Sequence, residues 1–121
     1  VDARTRGPGG VPGGETVLAA TGRIFDLNAA GITIDGFFFQ DIRGRGIDTY
    51  YSPATDIVLR NNIFQSTTGT YSGGAIQFGG GLSQLANGFV FERNYTQNLG
   101  GYLLYMGHAM DGGRIADNYI N

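Results

Sequence analysis

Four stretches of the chain share one alternation of apolar and polar positions. Residues 32–40 (ITIDGFFFQ), 57–65 (IVLRNNIFQ), 89–97 (FVFERNYTQ) and 113–121 (GRIADNYIN) align without gaps, their starts 25, 32 and 24 residues apart. The first and third positions read Ile32/Ile34, Ile57/Leu59, Phe89/Phe91 and Gly113/Ile115. Apolar residues two apart predict a strand with one buried face. The sixth position holds Phe37, Asn62, Asn94 and Asn118, and the ninth holds Gln40, Gln65, Gln97 and Asn121. Amides recurring in fixed columns mark an internal repeat, and a repeat of this length belongs to a stacked architecture.

A second set of segments lies between these. Residues 46–50 (GIDTY), 75–79 (AIQFG) and 102–106 (YLLYM) alternate as Ile47/Thr49, Ile76/Phe78 and Leu103/Tyr105, each after glycines. Residues 23–27 (RIFDL) repeat the pattern one turn earlier, with Phe25 and Leu27 inward. Each repeat therefore holds at least two short strands separated by turns. The length differences fall in Gly/Ser/Thr-rich stretches at 66–74 and 79–88, which read as loops projecting from one side. Residues 5–14 (TRGPGGVPGG) read as flexible or extended chain, so the organisation is an arm over 1–15 and one β domain over 16–121.

These segments, above all 57–64 and 91–120, resemble the right-handed parallel β-helix of the pectate-lyase-like superfamily, over roughly residues 22–121. The resemblance implies an all-β solenoid of about four coils with open ends. It implies little about function, because that superfamily holds lyases, hydrolases, epimerases, adhesins and phage proteins.

Stacked coils place equivalent side chains in columns about 4.8 Å apart. Asn62, Asn94 and Asn118 are then expected to form a hydrogen-bonded ladder, ending at Phe37, with Gln40, Gln65 and Gln97 as a second amide column. Asparagine at a tight corner also tolerates the left-handed backbone. The fourth column runs Asp35, Arg60, Glu92, Ala116, so opposite charges meet from coil to coil, and the fifth sets Arg93 beside Asp117. Exposed pairs of this kind contribute about 0–1 kcal/mol each. Of the seventh (Phe38, Ile63, Tyr95, Tyr119) and eighth (Phe39, Phe64, Thr96, Ile120) columns, alternation sends one inward. The eighth is the better core candidate. An aromatic-rich seventh column is left to carry a sugar ring or a neighbouring chain, or to be covered by a loop of the same chain.

Composition narrows the chemistry. The chain has 121 residues, 22 of them glycine, 15% charged and 41% hydrophobic. That suits one soluble domain with a real core. A net charge of −2 offers no footprint for nucleic acid, and no apolar run reaches the length of a membrane span. Cysteine is absent, which excludes disulfides and thiolate sites. No cofactor or metal is implied. The enzymes of the resembling superfamily need calcium-binding carboxylate clusters, paired aspartates with Gly-His-Gly and Arg-Ile-Lys motifs, or an Asp-Pro-His-Glu run. The acidic residues gather in no one column, Gly107-His108-Ala109 is the nearest motif match, and there is no lysine. No catalytic residue is carried over, and the chain leans away from enzymes. His108 with Asp111, inside GHAMDGG, is the remaining acid/base pair; without a nucleophile or oxyanion site it reads first as a polar turn.

The ends carry the functional hint. A solenoid shows unpaired strand edges and a cut core at each end, and natural ones are capped because bare ones associate. Neither end of this sequence reads as capped: no amphipathic helix opens it, and Asn121 falls in mid-repeat. The expectation is a structural module of an extracellular or cell-surface fibre, adhesin or surface assembly, a homo-oligomer or filament stacked head to tail. Phe25 and Leu27 at the first coil, and Ile115 and Ile120 at the last, are the expected interface. The alternative is a polysaccharide-binding or polysaccharide-degrading domain, or a fragment of one, with Tyr95, Tyr119, Tyr71, His108 and Asp111 as its surface.

Overall fold

A computed structural model gives the fold, and it describes residues 16–19, 24–41, 45–49, 55–65, 76–78, 87–100, 102–106 and 111–121. The proposed arm over 1–15 lies outside them, as do Tyr71 and His108. After β1 (Val17–Ala19) the chain passes β2 (Phe25–Asp26), β3 (Thr33–Asp35) and β4 (Phe38–Gln40). It continues through β5 (Ile47–Asp48), β6 (Val58–Arg60) and β7 (Ile63–Gln65), then β8 (Ile76–Phe78), β9 (Val90–Glu92) and β10 (Tyr95–Gln97). It ends with β11 (Leu104–Met106), β12 (Arg114–Ala116) and β13 (Tyr119–Ile120). Among the described residues there is no helix.

The strands form three separate parallel sheets, in the orders β1-β4-β7-β10-β13, β2-β5-β8-β11 and β3-β6-β9-β12. The chain thus visits the sheets in rotation, and each strand pairs with the one three places on. Parallel neighbours cannot be joined by a hairpin, so the connection must cross elsewhere. Here the other two sheets supply the crossover.

Backbone geometry explains the short strands. Every described residue with positive φ sits just before a repeat segment, at its fifth position, or just after it. The first set is Gly31, Asp56, Gly88 and Gly112; the second is Gly36, Asn61, Arg93 and Asp117; the third is Asp41 and Asn98. One left-handed residue per corner turns the chain from one sheet to the next. Glycine, asparagine and aspartate tolerate that conformation best, and Arg93 is the exception. At Gly88 the need is doubled, since a Cβ there would collide with the Asp56 carboxylate. The ladder asparagines themselves are not left-handed, against expectation. The corner is turned one residue earlier, which aims the following side chain inward.

The core draws on all three sheets. Phe39 and Phe64, Ile47 and Ile76, and Ile34, Leu59 and Phe91 pack into one buried cluster with Leu27, Ile57 and Phe89. Phe39 and Phe64 stack face to face at 4.7 Å between centroids. The seventh column departs from the expected exposed stripe: Phe38, Ile63 and Tyr95 are buried as a second, separate cluster, and only Tyr119 is exposed. A side chain on the outer face of a sheet is dry when something covers it, and alternation alone cannot report that. The intervening segments also shift register once. Ile47 pairs with Ile76, but Ile76 pairs with Leu104 rather than Leu103. A one-residue slip exchanges the two faces of a strand, so Leu104 takes the inward row of Ile47 and Ile76.

Candidate functional site

The sixth column is a continuous hydrogen-bonded file. The Asn62 N–H donates to Asn94 Oδ1 at 3.0 Å, and the Asn94 N–H donates to Asn118 Oδ1 at 2.9 Å. Each Nδ2 also donates to the third-position carbonyl one repeat back: Asn62 to Ile34, Asn94 to Leu59 and Asn118 to Phe91. At its start the Phe37 N–H donates to Asn62 Oδ1 at 2.9 Å, and phenylalanine has no amide to continue with. The file is therefore polar: backbone donors point toward the C-terminal end. Asn118 is last, and no described residue follows to accept its N–H. Gln40, Gln65 and Gln97 stand in register beside it, each partly buried.

The outer charges pair as follows. Arg60 Nε donates to Asp35 Oδ2 at 2.8 Å, and Asn61 Nδ2 to Asp35 Oδ1 at 2.8 Å. Partial burial pushes the Asp35 carboxyl up, but the Asn61 bond and the bond and charge of Arg60 outweigh it and hold it below its ordinary range. Arg93 turns to the adjacent Glu92 at 2.7 Å, not to Asp117 as its column suggested; Arg114 approaches Asp117 at 4.0 Å and Glu92 at 3.9 Å. Asp48 is fully buried and meets Arg45 at 3.2 Å, a pair the pattern gave no reason to seek.

The two ends differ. Leu27 is buried and Phe25 half-buried, so the residues expected at the first end lie within or against the core. Phe25 meets Phe37 and Phe39 edge-on, each at 6.0 Å. At the other end Ile115 and Ile120 are exposed, at 55% and 65%. Apart from Val17, every exposed large hydrophobic residue described is on β11–β13 or, as Tyr102, just before them: Tyr105, Ile115, Tyr119 and Ile120 complete the set. These strands are also the last in their three sheets, and among the described residues no strand pairs with their outer edges. Tyr105 escaped sequence reasoning because its segment was read one residue out of register. β1 escaped it too, since three apolar or small residues carry no alternation.

The remaining candidates are dispersed. Asp111 is exposed, and its carbonyl accepts the Gly88 N–H at 2.9 Å. Tyr95 is buried under a stacked Tyr119, with ring centroids 5.0 Å apart. Asn94, the acceptor residue of an Asn-Tyr-Thr sequon, is fully buried. Comparison of the chain with protein-family models, with curated proteins and with solved structures finds no match.

Proposed function

We propose that the three sheets are the faces of a right-handed parallel β-helix of the pectate-lyase-like type. On this reading the chain is a structural module of an extracellular or cell-surface assembly, joined end to end through its last strands. The rotation of the chain through three parallel sheets, the left-handed corners and the asparagine file support the helix. One observation carries the function: the exposed apolar side chains gather on β11–β13, whose outer edges pair with no other described strand. Edge strands are templates for pairing. Covering a half-exposed isoleucine or tyrosine adds roughly 1 kcal/mol for each side chain. Strand pairing fixes the direction, and apolar columns supply the affinity.

Of the aromatic stripe that favoured a polysaccharide ligand, only Tyr119 is exposed among the described residues. Sedimentation of the chain as a function of concentration tests the proposal. Mass should rise with concentration, and Ile115→Asp with Ile120→Asp should abolish the rise while leaving the circular dichroism spectrum unchanged. A chain that stays monomeric at millimolar concentration would sink it.

A further inference from the structure

The corner that opens each repeat segment is held by one recurring backbone bond. The Gly31 N–H donates to the Thr55 carbonyl at 3.0 Å, Asp56 to Asn87 at 2.8 Å and Gly88 to Asp111 at 2.9 Å. Each corner residue thus bonds the carbonyl that precedes the next corner. Gly31, Asp56, Gly88 and Gly112 follow Ala30, Thr55, Asn87 and Asp111, and Asn87 is the only asparagine in the sequence with a glycine after it. That pairing has its own chemistry. A glycine amide, with no Cβ beside it, reaches the side-chain carbon of the preceding asparagine with the least hindrance. The fold requires this glycine: Gly88 has a φ of 66°, and a Cβ there would collide with the Asp56 carboxylate.

We propose that Asn87–Gly88 is a self-modification site, an asparagine that hydrolyses through a cyclic imide when the segment carrying Asp111 and Arg114 lifts from it. The Gly88 nitrogen gives its proton to solvent base and attacks Asn87 Cγ. A C–N bond forms, the Cγ–Nδ2 bond breaks, and ammonia leaves with a proton returned from solvent. Water then opens the imide at either carbonyl, giving aspartate or, with the backbone rerouted through the side chain, isoaspartate. Nothing is oxidised or reduced, and water is the sole co-reactant.

The folded chain holds the reaction off. The peptide unit joining Asn87 to Gly88 is gripped from both sides, its carbonyl by the Asp56 N–H and its N–H by the Asp111 carbonyl. Turning it toward Cγ breaks both bonds. The Arg114 N–H adds a bond to the Phe89 carbonyl at 2.7 Å, and β12 pairs with β9 just beyond. Residues 111–114 are all exposed, which places the gripping segment among those that open locally at low cost. Asn87 Oδ1 is buried without a hydrogen-bond partner among the described residues, so no described bond restrains the amide oxygen. The reaction cannot be undone by closing again. The imide has no N–H for Asp111, and either acid sets a new negative charge at the corner that the Asp56 carboxylate already touches. Like charges brought together oppose reclosure. The site is independent of whether the chain associates.

Peptide mass spectrometry of the full chain tests the proposal, after incubation at mildly alkaline pH, folded and in urea, at concentrations too low for association. Asn87 should gain the mass of an amide-to-acid exchange and yield isoaspartate ahead of every other asparagine. In the folded chain the rate should be lower than in urea by about tenfold or more, matching the open fraction that hydrogen exchange reports at the Gly88 amide. Arg114→Pro deletes the donor to Phe89 and should speed conversion and Gly88 exchange together, several-fold. Exchange at the Leu59 and Phe64 amides separates this local opening from global unfolding, and Arg114→Gly serves the same end if the proline variant does not fold. Asn87→Gln, whose longer side chain disfavours the five-membered ring, should abolish the mass gain. A folded chain that converts as fast as the unfolded one would overturn the proposal. So would a rate that does not follow Gly88 exchange from variant to variant, or a gain that persists in Asn87→Gln.

Discussion

The same three columns behave in opposite ways at the two ends of the molecule. At the first end Ile34, Phe38 and Phe39 are exposed by 4%, 3% and 0%; at the last, Ile115, Tyr119 and Ile120 are exposed by 55%, 50% and 65%. Register and residue class match, so intrinsic preference does not account for the contrast. The difference is in neighbours. β4 has β1 on its outer side, while β3, an edge strand like β12, keeps Ile34 within the core cluster, against which Leu18, Ile24, Phe25, Ile32 and Phe37 also pack. Among the described residues β13 has a strand on one side only, and no apolar side chain covers Ile115 on β12 as the core covers Ile34 on β3. The amide file repeats the lesson, closed at Phe37 and ending with a backbone donor at Asn118. A repeat determines what a column is made of, and its stacking partner determines whether that column is core or surface.

Six substitutions break or sharpen this contrast, each measured by urea unfolding at concentrations too low for association. The largest effect is expected in the core columns. Phe64→Ala removes a ring stacked between Phe39 and Phe91 and should cost about 3–5 kcal/mol. Ile120→Ala, two places along the same column on the last strand, should cost less than about 1 kcal/mol. Equal losses would mean that the last strands are as buried as the middle ones.

Next comes the amide file. Asn94→Ala strands the Asn62 N–H and the Leu59 carbonyl in a dry interior, for a loss of about 2–3 kcal/mol. Asn118→Ala, partly exposed and bonded on one side, should lose about 1 kcal/mol. A file that gave the same loss at both positions would not be polar in the sense described.

Arg93 tests the corners. It is left-handed, its Nε is buried without a partner, and its ion pair with Glu92 is half-exposed. Arg93→Asn relieves a conformation costing about 1–2 kcal/mol and gives up a pair contributing at most about 1 kcal/mol. A net gain of roughly 0.5–1 kcal/mol in unfolding free energy is expected. A loss would show that the Arg93–Glu92 pair outweighs the backbone.

The smallest effect belongs to Asp35. Its folded carboxyl titrates below the unfolded one, so its stabilisation is present above the unfolded value near pH 3.9 and is lost as pH falls through the folded value. The group is more than a third exposed, so solvent screening holds the effect within about 0.5 kcal/mol. Asp35→Asn should therefore trail the wild type by a constant small margin at neutral pH and converge with it below about pH 4. A margin that grows in acid would reverse the sign of this linkage.

Much of this fold can be read from one-dimensional spacing. The alternation at Ile57/Leu59 and Phe89/Phe91 reports strands because period two is a local property of extended chain. The asparagines at 62, 94 and 118 report a column because parallel in-register stacking brings like residues together. Local signals fail where the deciding contact is distant. The slip from Leu103 to Leu104 depends on which backbone groups of β8 are reached after an intervening loop, and both residues are leucine. The burial of Ile63 and Tyr95 depends on cover outside their own strand. β1, with only Val17, Leu18 and Ala19, is a strand because β4 offers it an edge.

By itself, then, the amino-acid sequence determined the strands, the columns and the places where Gly, Asn and Asp let the chain turn, since all of these follow from residues within a few positions of one another. The tertiary structure alone decided the direction of the amide file, the pairing register of the strands and the unequal exposure of the first and last of them. Those depend on which strand lies beside which, and pairing between strands three places apart is settled by backbone hydrogen bonds and packing that no single segment contains.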